Sequence, residues 1–298
     1  MSDTAIFEHH RAHLRNIAYR MLGEMAAAED VVQEAWLRWR TVEAGGIRDP
    51  RAWLSAATVR LSLDALRKLR ARRETYVGPW LPEPILPDDV RAFAADTPAA
   101  RAELASDLSL ALMHLLERLS PEERAALILH DAFDCDYDEI AATLEKTEGA
   151  CRKLVSRARE HVKAGRPRQR ATVEQHRQLL ATFAAAVAAN DPKPPEALFA
   201  ADIVAYTDGG GRVAAALNPI YGANKVTRFI VSLARKYAGQ GIPGARPVEI
   251  NGEPGLLLLL NGDIFAAVAI ECEGGHISAM YAVRNPEKLV RIATAVSR

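Results

Sequence analysis

The stretch of residues 136–161 constrains the fold most, because it predicts two short helices joined by a tight turn. Asp136 can cap the first helix, with Glu139 three residues later as the second half of a capping box. Thr147 can cap the second helix. Apolar residues of that helix recur at the spacing of a buried stripe: Cys151, Leu154, Val155, Ala158 and Val162. The pattern predicts a helix pair whose second member buries one face.

The other face of the second helix is predicted to be basic. It carries Arg152, Lys153, Ser156 and Arg157. Two short helices, the second apolar behind and basic in front, form the arrangement in which a helix-turn-helix enters a DNA major groove. An ordinary surface helix with a solvated charged face would show the same pattern, and a helix pair alone is a weak signal.

The distribution of charge favours a nucleic-acid partner, although the formal net charge is zero. Residues 60–73 hold six Lys/Arg against one Asp, and residues 148–170 hold eight Lys/Arg against two Glu. Residues 171–298 are nearly neutral, with 12 Lys/Arg against 11 Asp/Glu. Two basic segments in a neutral chain predict two surfaces that face phosphates.

The cysteines and the apolar runs indicate the cellular compartment in which the protein is expected. Cys135, Cys151 and Cys272 are an odd set without a C-x-x-C pair, which fits a reducing cytoplasm and no zinc site. The start of the chain has no signal-peptide pattern, and the longest apolar run, residues 256–260, is too short to span a bilayer. We expect a cytoplasmic protein with no metal, no cofactor and no membrane contact.

Two helices are predicted to lead into the helix pair: one from Arg101 through Leu119, and one that starts at Ser120-Pro121-Glu122-Glu123 with a Ser cap, Pro at the first position and Glu at the third. Three more are predicted in the first 75 residues. The first covers residues 7–21, and its histidines at 9, 10 and 13 lack partners at metal-ligand spacing. The second covers residues 29–39, with an outward acidic-polar edge at Asp30, Gln33 and Glu34. Asp49 and Pro50 form a helix start for the third. An edge like that of the second helix is usually solvated, but it also suits docking on a basic partner.

The third helix carries an aromatic and basic side. These residues are Trp53, Arg60, Arg67, Lys68 and Arg70. An aromatic followed by a basic stripe can bind a nucleic-acid strand by stacking and charge. Trp53 is equally consistent with a core residue, whereas the arginine cluster is harder to explain by packing.

These segments together resemble a known family. Residues 29–36, 51–54 and 63–67 resemble region 2 of bacterial RNA polymerase sigma factors of the extracytoplasmic-function (ECF) group. Residues 119–126 through 156–159 are similar to region 4 of the same proteins. The two matches cover about half of the chain, in the expected order. The resemblance implies a transcription initiation factor, and not an enzyme, that binds RNA polymerase core and promoter DNA.

The resemblance also implies roles for particular positions. Asp30, Gln33 and Glu34 would dock on the clamp helices of the polymerase β′ subunit, and region 4 would contact the β flap. The third helix would hold the melted −10 strand, while the basic face from Arg152 to Arg157 would meet the −35 element. Many family members have Asn where this chain has Arg60, so the role of that Asn does not transfer. An Arg there can still contact a phosphate or a base.

A proline-rich linker is predicted after region 2. We assign residues 1–75 to region 2, 76–100 to the linker, 101–166 to region 4 and 172–298 to a third domain. Four prolines in nine residues favour an extended linker. Three large apolar side chains, Trp80, Leu81 and Ile85, suggest that it docks on a surface, and residues 88–98 are expected to be plain linker.

The third domain changes from helices to strands. A long helix near 179–187 and a short one near 195–199 precede strands at 203–206, 213–217, 248–250, 256–260, 264–272 and 277–283, with helices at 224–237 and 286–295. Helices followed by a curved sheet predict an α+β cone. The order resembles the SnoaL-like branch of the NTF2-like fold. The fold class is therefore two all-α sigma domains plus an α+β domain.

Three motifs together resemble the sigma-J-type group of ECF factors, which carries a fused SnoaL-like domain. The motifs are Trp80-Leu81-Pro82-Glu83-Pro84, Asp208-Gly209-Gly210-Gly211-Arg212 and Asn285-Pro286-Glu287-Lys288-Leu289. Taken singly, they fit a stiff linker, a hairpin turn and a helix start. The resemblance implies that the fused domain regulates the sigma factor in place of a separate anti-sigma protein. We expect Asp208 and the glycines to receive the linker backbone closely.

Two other functions also fit the sequence. A SnoaL-like cone can enclose a cavity, which could bind a small-molecule ligand or assemble an acid–base pair from Asp208, His276, Tyr206 and Tyr221. Nothing in the spacing requires catalysis. A one-component repressor with a helix-turn-helix and a sensor domain is the second alternative, but it leaves the region-2 resemblance unexplained.

Overall fold

A computed structural model describes residues 2–42, 47–93, 108–165, 171–188, 198–237, 239–241 and 243–296. The chain divides into two compact units. The first comprises Met1–Thr75, Arg91–Asp107 and Leu112–Arg166, and the second comprises Tyr76–Val90, Leu108–Ala111 and Pro167–Arg298. The stretch of linker from Tyr76 to Val90 thus belongs to the same unit as the C-terminal sheet.

The first unit begins with three helices, as predicted. They are α1 (Asp3–Leu22), α2 (Met25–Thr41) and α3 (Pro50–Arg73). Ser2 caps α1 by accepting the Ala5 N–H at 3.3 Å, and Gly23 ends it in the left-handed conformation with φ of 70°. Apolar side chains of the three helices, with Trp39 among them, are fully buried. Burial of these apolar stripes fixes the bundle.

The second half of this unit contains the predicted helix-turn-helix. Helices α5 (Leu110–Leu116, of which Leu110 and Ala111 belong to the second unit) and α6 (Pro121–Leu127) lead through a π-helical turn (Ile128–Ala132) to α7 (Tyr137–Leu144) and α8 (Glu148–Gly165). Ser120 and Glu123 form the predicted capping box of α6, and Glu139 accepts the Asp136 N–H at 3.0 Å at the start of α7. The stripe of α8 is buried as predicted at Cys151, Val155, Ala158 and Val162.

A buried arginine joins the two halves of the first unit. Arg124 is fully buried and donates to the carbonyl oxygens of Met21 and Leu116, each at 2.8 Å. Its Nη1 also lies 2.6 Å from the carboxylate of Glu117, which in turn pairs with Arg73. The ends of α1 and α3 are thereby tied to α5 and α6 through one hydrogen-bonded ionic network.

The second unit is built on one six-stranded sheet. Its strands are β1 (Phe199–Asp208), β2 (Ile220–Tyr221), β3 (Pro243–Ile250), β4 (Glu253–Leu260), β5 (Asp263–Glu273) and β6 (His276–Val283). The spatial order is β2-β1-β6-β5-β4-β3, in which only the β1–β6 pair is parallel. Helices α9 (Val173–Ala188), α10 (Ala223–Tyr237) and α11 (Pro286–Val296) complete it. The predicted α+β class is confirmed.

Two sequence predictions about local structure are wrong. Residues 213–217 form no strand, because the turn after Asp208 folds back and Ala216 bonds to the Thr207 side chain instead of to a neighbouring strand. The segment expected to be plain linker contains a helix, α4 (Pro87–Phe93), which has proline at its start and Asp88 and Asp89 in its first turn. Residues 101–107 of the predicted region-4 helix and residues 195–197 of the predicted short helix lie outside the described residues.

No helix within the described ranges is long and apolar enough to cross a membrane.

Replacement of Arg124 by alanine is expected to lower the free energy of unfolding by about 3–5 kcal/mol, because it leaves Glu117 with a buried charge short of a partner. The matched control is Arg159→Ala, which removes a half-exposed pair with Asp131 and should cost less than about 1 kcal/mol. Urea unfolding followed by far-ultraviolet circular dichroism measures both. Equal midpoints for the two variants would contradict the role given to Arg124.

Candidate functional site

A single buried carboxylate organises the candidate site. Asp208 ends β1 and is fully buried. Its Oδ1 accepts hydrogen bonds from the Tyr76 hydroxyl at 2.5 Å and the Gly210 N–H at 3.1 Å. Its Oδ2 accepts from the Leu81 N–H at 2.9 Å and from Lys288 Nζ at 2.7 Å. Four donors thus match the four lone-pair positions of the carboxylate, and two of them come from the linker.

Lys288 contacts the same linker from the first turn of α11. Its Nζ pairs with Asp208, donates to the Leu81 carbonyl oxygen and lies 4.0 Å from the centre of the Trp80 ring. Both charged groups of the pair are buried, so each needs the other and its hydrogen bonds to offset the cost of leaving water. The linker peptide and the Trp80 ring complete the surroundings of the ammonium group.

The turn formed by Gly209, Gly210 and Gly211 lets the backbone come close to the start of α11. Gly210 adopts φ of +59°, and a Cβ there would lie 2.4 Å from Nδ2 of Asn285. Gly211 has φ of +70° and faces Val77 of the linker, where a Cβ would lie 3.1 Å away. Any side chain would therefore meet both backbone strain and a steric clash at Gly210. Gly209 is equally closed, because a Cβ would lie 2.5 Å from the Val213 carbonyl oxygen.

Asn285 connects the turn, the linker and α11. Its N–H donates to the Asp208 carbonyl oxygen at 2.8 Å, and its Nδ2 donates to the Tyr76 hydroxyl at 2.9 Å. Its Oδ1 accepts the Glu287 N–H at 3.1 Å, which caps α11 ahead of Pro286. The Tyr76 hydroxyl therefore accepts from Asn285 while it donates to Asp208.

A second anchor was missed by the sequence analysis. Asn251, buried and left-handed at φ of 53°, accepts the Ile85 N–H on its Oδ1 at 3.0 Å. Its own N–H donates to the Ile85 carbonyl oxygen at 2.8 Å, and its Nδ2 donates to the Leu108 carbonyl oxygen at 2.9 Å. In the sequence, Asn251-Gly252 indicates only a hairpin turn, so nothing pointed to the side-chain contacts.

Between the two anchors the linker is buried. Leu81 and Ile85 are 0% and 1% exposed, and Pro82, Glu83 and Pro84 are also buried. Leu81 belongs to an apolar cluster with Leu289 and Ile292 of α11 and with side chains of β4 and β5. Burial of apolar side chains on this scale contributes roughly 1.5–3 kcal/mol for each one. The extended segment is thus an integral part of the second unit.

The polar edge of α2 is exposed to solvent on the surface of the first unit. Asp30, Gln33 and Glu34 are all exposed. Glu34 pairs with Arg38 one turn later, at 3.4 Å, and both side chains are about half exposed. A solvated pair of this kind holds its partners weakly, so both charges can rearrange toward another molecule.

The basic face of α8 is exposed, as its amphipathic pattern predicted. Arg152, Lys153, Ser156 and Arg157 all lie on the surface. Arg152 pairs with Glu148 at 3.0 Å and covers the Tyr137 ring at 4.3 Å. The buried stripe of α8 holds this face outward as a rigid surface.

The basic side of α3 is divided between protein contacts and solvent. Trp53 is half-buried against Trp39, with ring centres 5.4 Å apart. Arg60 donates to the carbonyl oxygens of Thr143 and Ala142 at 2.9 and 2.8 Å, at the end of α7. Arg70 donates to the Leu119 carbonyl oxygen. Arg67 and Lys68 are exposed.

The structure does not assemble the alternative acid–base site. His276 begins β6, whereas Asp208 pairs with Val283 at the other end of the same strand, roughly 20 Å away at the usual rise per residue. Tyr206 stacks on Tyr281, and Tyr221 is 60% exposed. Asp208 is also fully occupied by its four donors.

Among the histidines of α1, His13 makes packing contacts within the first unit. His13 bonds to Ser55 at 3.0 Å and packs against Phe133, and burial lowers its pKa to about 4. The imidazole is therefore neutral near pH 7. Among the residues that the structure describes, no group of His, Cys, Asp or Glu could hold a metal ion.

Replacement of Asp208 by asparagine is expected to free the linker, because it removes the carboxylate charge that pairs with the buried Lys288, at a cost of about 3–5 kcal/mol. Chymotrypsin should then cut after Trp80 much faster than in the unmodified chain, with urea unfolding as the second measurement. The control is Arg212→Ala on the same turn, whose pair with Glu287 is two-thirds exposed and is worth less than about 1 kcal/mol. Cleavage at the unmodified rate in Asp208→Asn would contradict the anchoring role.

Comparison with known proteins places these features in a family. The sigma-70 region 2 family matches residues 6–73, and the sigma-70 region 4 family matches residues 109–162. The chain is 39% identical to the ECF RNA polymerase sigma factor SigJ of Mycobacterium tuberculosis, over 96% of this chain and 93% of the relative. It is 30% identical to the probable ECF sigma factor SigI of the same species, over 96% and 94%.

A solved structure agrees with this assignment over both units. The crystal structure of Mycobacterium tuberculosis SigJ has a TM-score of 0.72 and 35% sequence identity, and the alignment covers 96% of this chain and 98% of that one. The predicted family, its two helical sigma domains and its α+β C-terminal part are thus confirmed. The chain belongs to the extracytoplasmic-function RNA polymerase sigma factors.

Proposed function

We propose that each exposed face of the first unit contacts one partner of transcription initiation. Sigma factors act with RNA polymerase core and promoter DNA. The exposed edge of Asp30, Gln33 and Glu34 would bind the basic surface of the β′ clamp helices, and region 4 would meet the β flap. The face from Arg152 to Arg157 would enter the −35 major groove, where arginine and lysine supply phosphate and base contacts. These events take place in the cytoplasm.

We further propose that the −10 surface is blocked in the described conformation. Arg60 and Arg70 belong to the stripe proposed to hold the melted strand, with Trp53, Arg67 and Lys68. Their guanidinium groups donate to carbonyl oxygens of region 4, so single-stranded DNA would have to compete for the same donors. Separation of region 2 from region 4 would release both donors, which supports assigning this conformation to an inactive state.

The central proposal concerns the linker. The motifs around Trp80, Asp208 and Asn285 would make the C-terminal domain a built-in regulator that stands in for a separate anti-sigma protein. The single observation that carries it is the Asp208 carboxylate, which binds the Leu81 N–H and the Tyr76 hydroxyl. A linker held at Leu81 and Ile85 cannot extend, whereas each released residue adds up to about 3.5 Å of reach between regions 2 and 4. Reach of that kind is needed to span two promoter elements.

Reversal of charge on α2 tests the polymerase surface. The double variant Asp30→Lys/Glu34→Lys is expected to weaken binding to core polymerase by at least tenfold, because it replaces two attractive contacts with repulsive ones. Glu174→Lys, an exposed position on α9, is the control and should bind like the unmodified chain. Fluorescence anisotropy with labelled protein and purified core measures both. Equal affinity for the two variants would exclude this surface.

Truncation of the linker anchors tests the regulatory proposal. Trp80→Ala/Leu81→Ala should raise run-off transcription by the reconstituted holoenzyme several-fold, since it removes the buried Leu81 side chain and the ring over Lys288. Val173→Ala, which trims an exposed apolar side chain on α9, is the matched control and should leave activity unchanged. Unaltered transcription by the double variant would reject the proposal.

A further inference from the structure

The sheet and helices of the second unit line a cavity that the linker site does not use. Its volume is about 160 Å³. The walls come from α9, α10 and strands β1 and β3 to β6, with aromatic side chains at Phe183, Phe229, Tyr237 and Phe265. No aspartate or glutamate lines it among the described residues. The cavity is therefore apolar and free of negative charge.

One cation lies in the wall of this cavity. Arg284, which directly follows β6, is 4% exposed, and its guanidinium carbon lies 3.9 Å from the centre of the Phe265 ring. The guanidinium donates to the Tyr237 hydroxyl at 3.1 Å and to the Ala214 carbonyl oxygen. Nε is buried and has no hydrogen-bond partner among the described residues. A buried positive charge with only neutral partners is costly, and an anion would offset that cost.

We infer that the cavity binds a small apolar carboxylate, with the carboxylate on Arg284 and the apolar body among the aromatic side chains. The size follows from the volume, because an apolar cavity of about 150 Å³ accommodates benzene. The charge follows from Arg284, since a guanidinium pairs well with a carboxylate. A ring or short alkyl chain carrying one carboxylate meets both requirements.

Two residues that line the cavity are direct chain neighbours of residues in the linker site. Thr207 and Arg284 both line the cavity, and each directly precedes a residue of the site, Asp208 or Asn285. The Arg284 N–H also donates to the Asp208 carbonyl oxygen at 2.7 Å. A ligand that draws the Arg284 side chain inward therefore acts on the backbone that positions Asp208. This regulatory part of the inference rests on the linker function proposed above.

Binding of benzoate to the full chain tests the ligand class, with benzamide as the neutral analogue of the same shape. Titration calorimetry at pH 7.5 is expected to show one saturable benzoate site per chain and at least tenfold weaker benzamide binding. Ala234→Phe, which fills the cavity from α10, should abolish binding. Arg284→Met should weaken it at least tenfold, and Ala234→Phe keeps the test decisive if Arg284→Met fails to fold. Absence of saturable binding, equal binding of benzamide, or undiminished binding to Ala234→Phe would overturn the assignment.

A separate measurement tests the coupling between the cavity and the linker site. Coupling between two sites is reciprocal, so Leu81→Ala, which lies outside the cavity, should change the benzoate Kd by at least threefold. An unchanged Kd would overturn the link. If benzoate binds but the Trp80/Leu81 double variant transcribes normally, the proposed linker function fails while the ligand site stands. The two failures are thereby distinguishable.

Discussion

The second unit depends on one buried ion pair, Asp208 with Lys288, and on the way the linker completes it. A carboxylate without solvent needs every lone pair satisfied, and here the Leu81 N–H and the Tyr76 hydroxyl supply two of the four donors. The linker thus supplies hydrogen bonds that offset the desolvation cost of the buried charges. Loss of the linker would open both charges to water.

The first unit uses the same chemistry for a different purpose. Arg124 and Arg73 converge on Glu117 and on backbone carbonyl oxygens, and Arg60 caps the end of α7. Two of the arginines that we propose face DNA, Arg60 and Arg70, thus donate to carbonyl oxygens within the same unit. In our account, polymerase and promoter supply acceptors that take the place of these internal ones. The number of hydrogen bonds made by the arginines therefore changes little on activation.

Much of this organisation could be predicted from sequence where a local rule dictates it. The capping boxes at Ser120 and Asp136 and the buried stripe of α8 follow from spacing alone, and the family resemblance placed both sigma regions. Long-range partners could not be predicted. Arg124 reads as a solvated residue in the first turn of a helix, and Asn251 reads as a hairpin residue, because their acceptors lie far away in the chain. Val213 was predicted to begin a strand, because the β-branched and small apolar residues from Val213 onward give no indication that the preceding turn folds back.

The most direct test of the central claim is hydrogen exchange at the Leu81 and Ile85 amides, whose protons are bound to Asp208 and Asn251. Exchange should be compared between the free protein and an initiating holoenzyme on promoter DNA, with core amides such as that of Val268 as the internal reference. Our account predicts strong protection in the free protein and fast exchange at both amides in the holoenzyme. Equal protection in the two states would show that initiation proceeds with the linker still held, and would contradict the account.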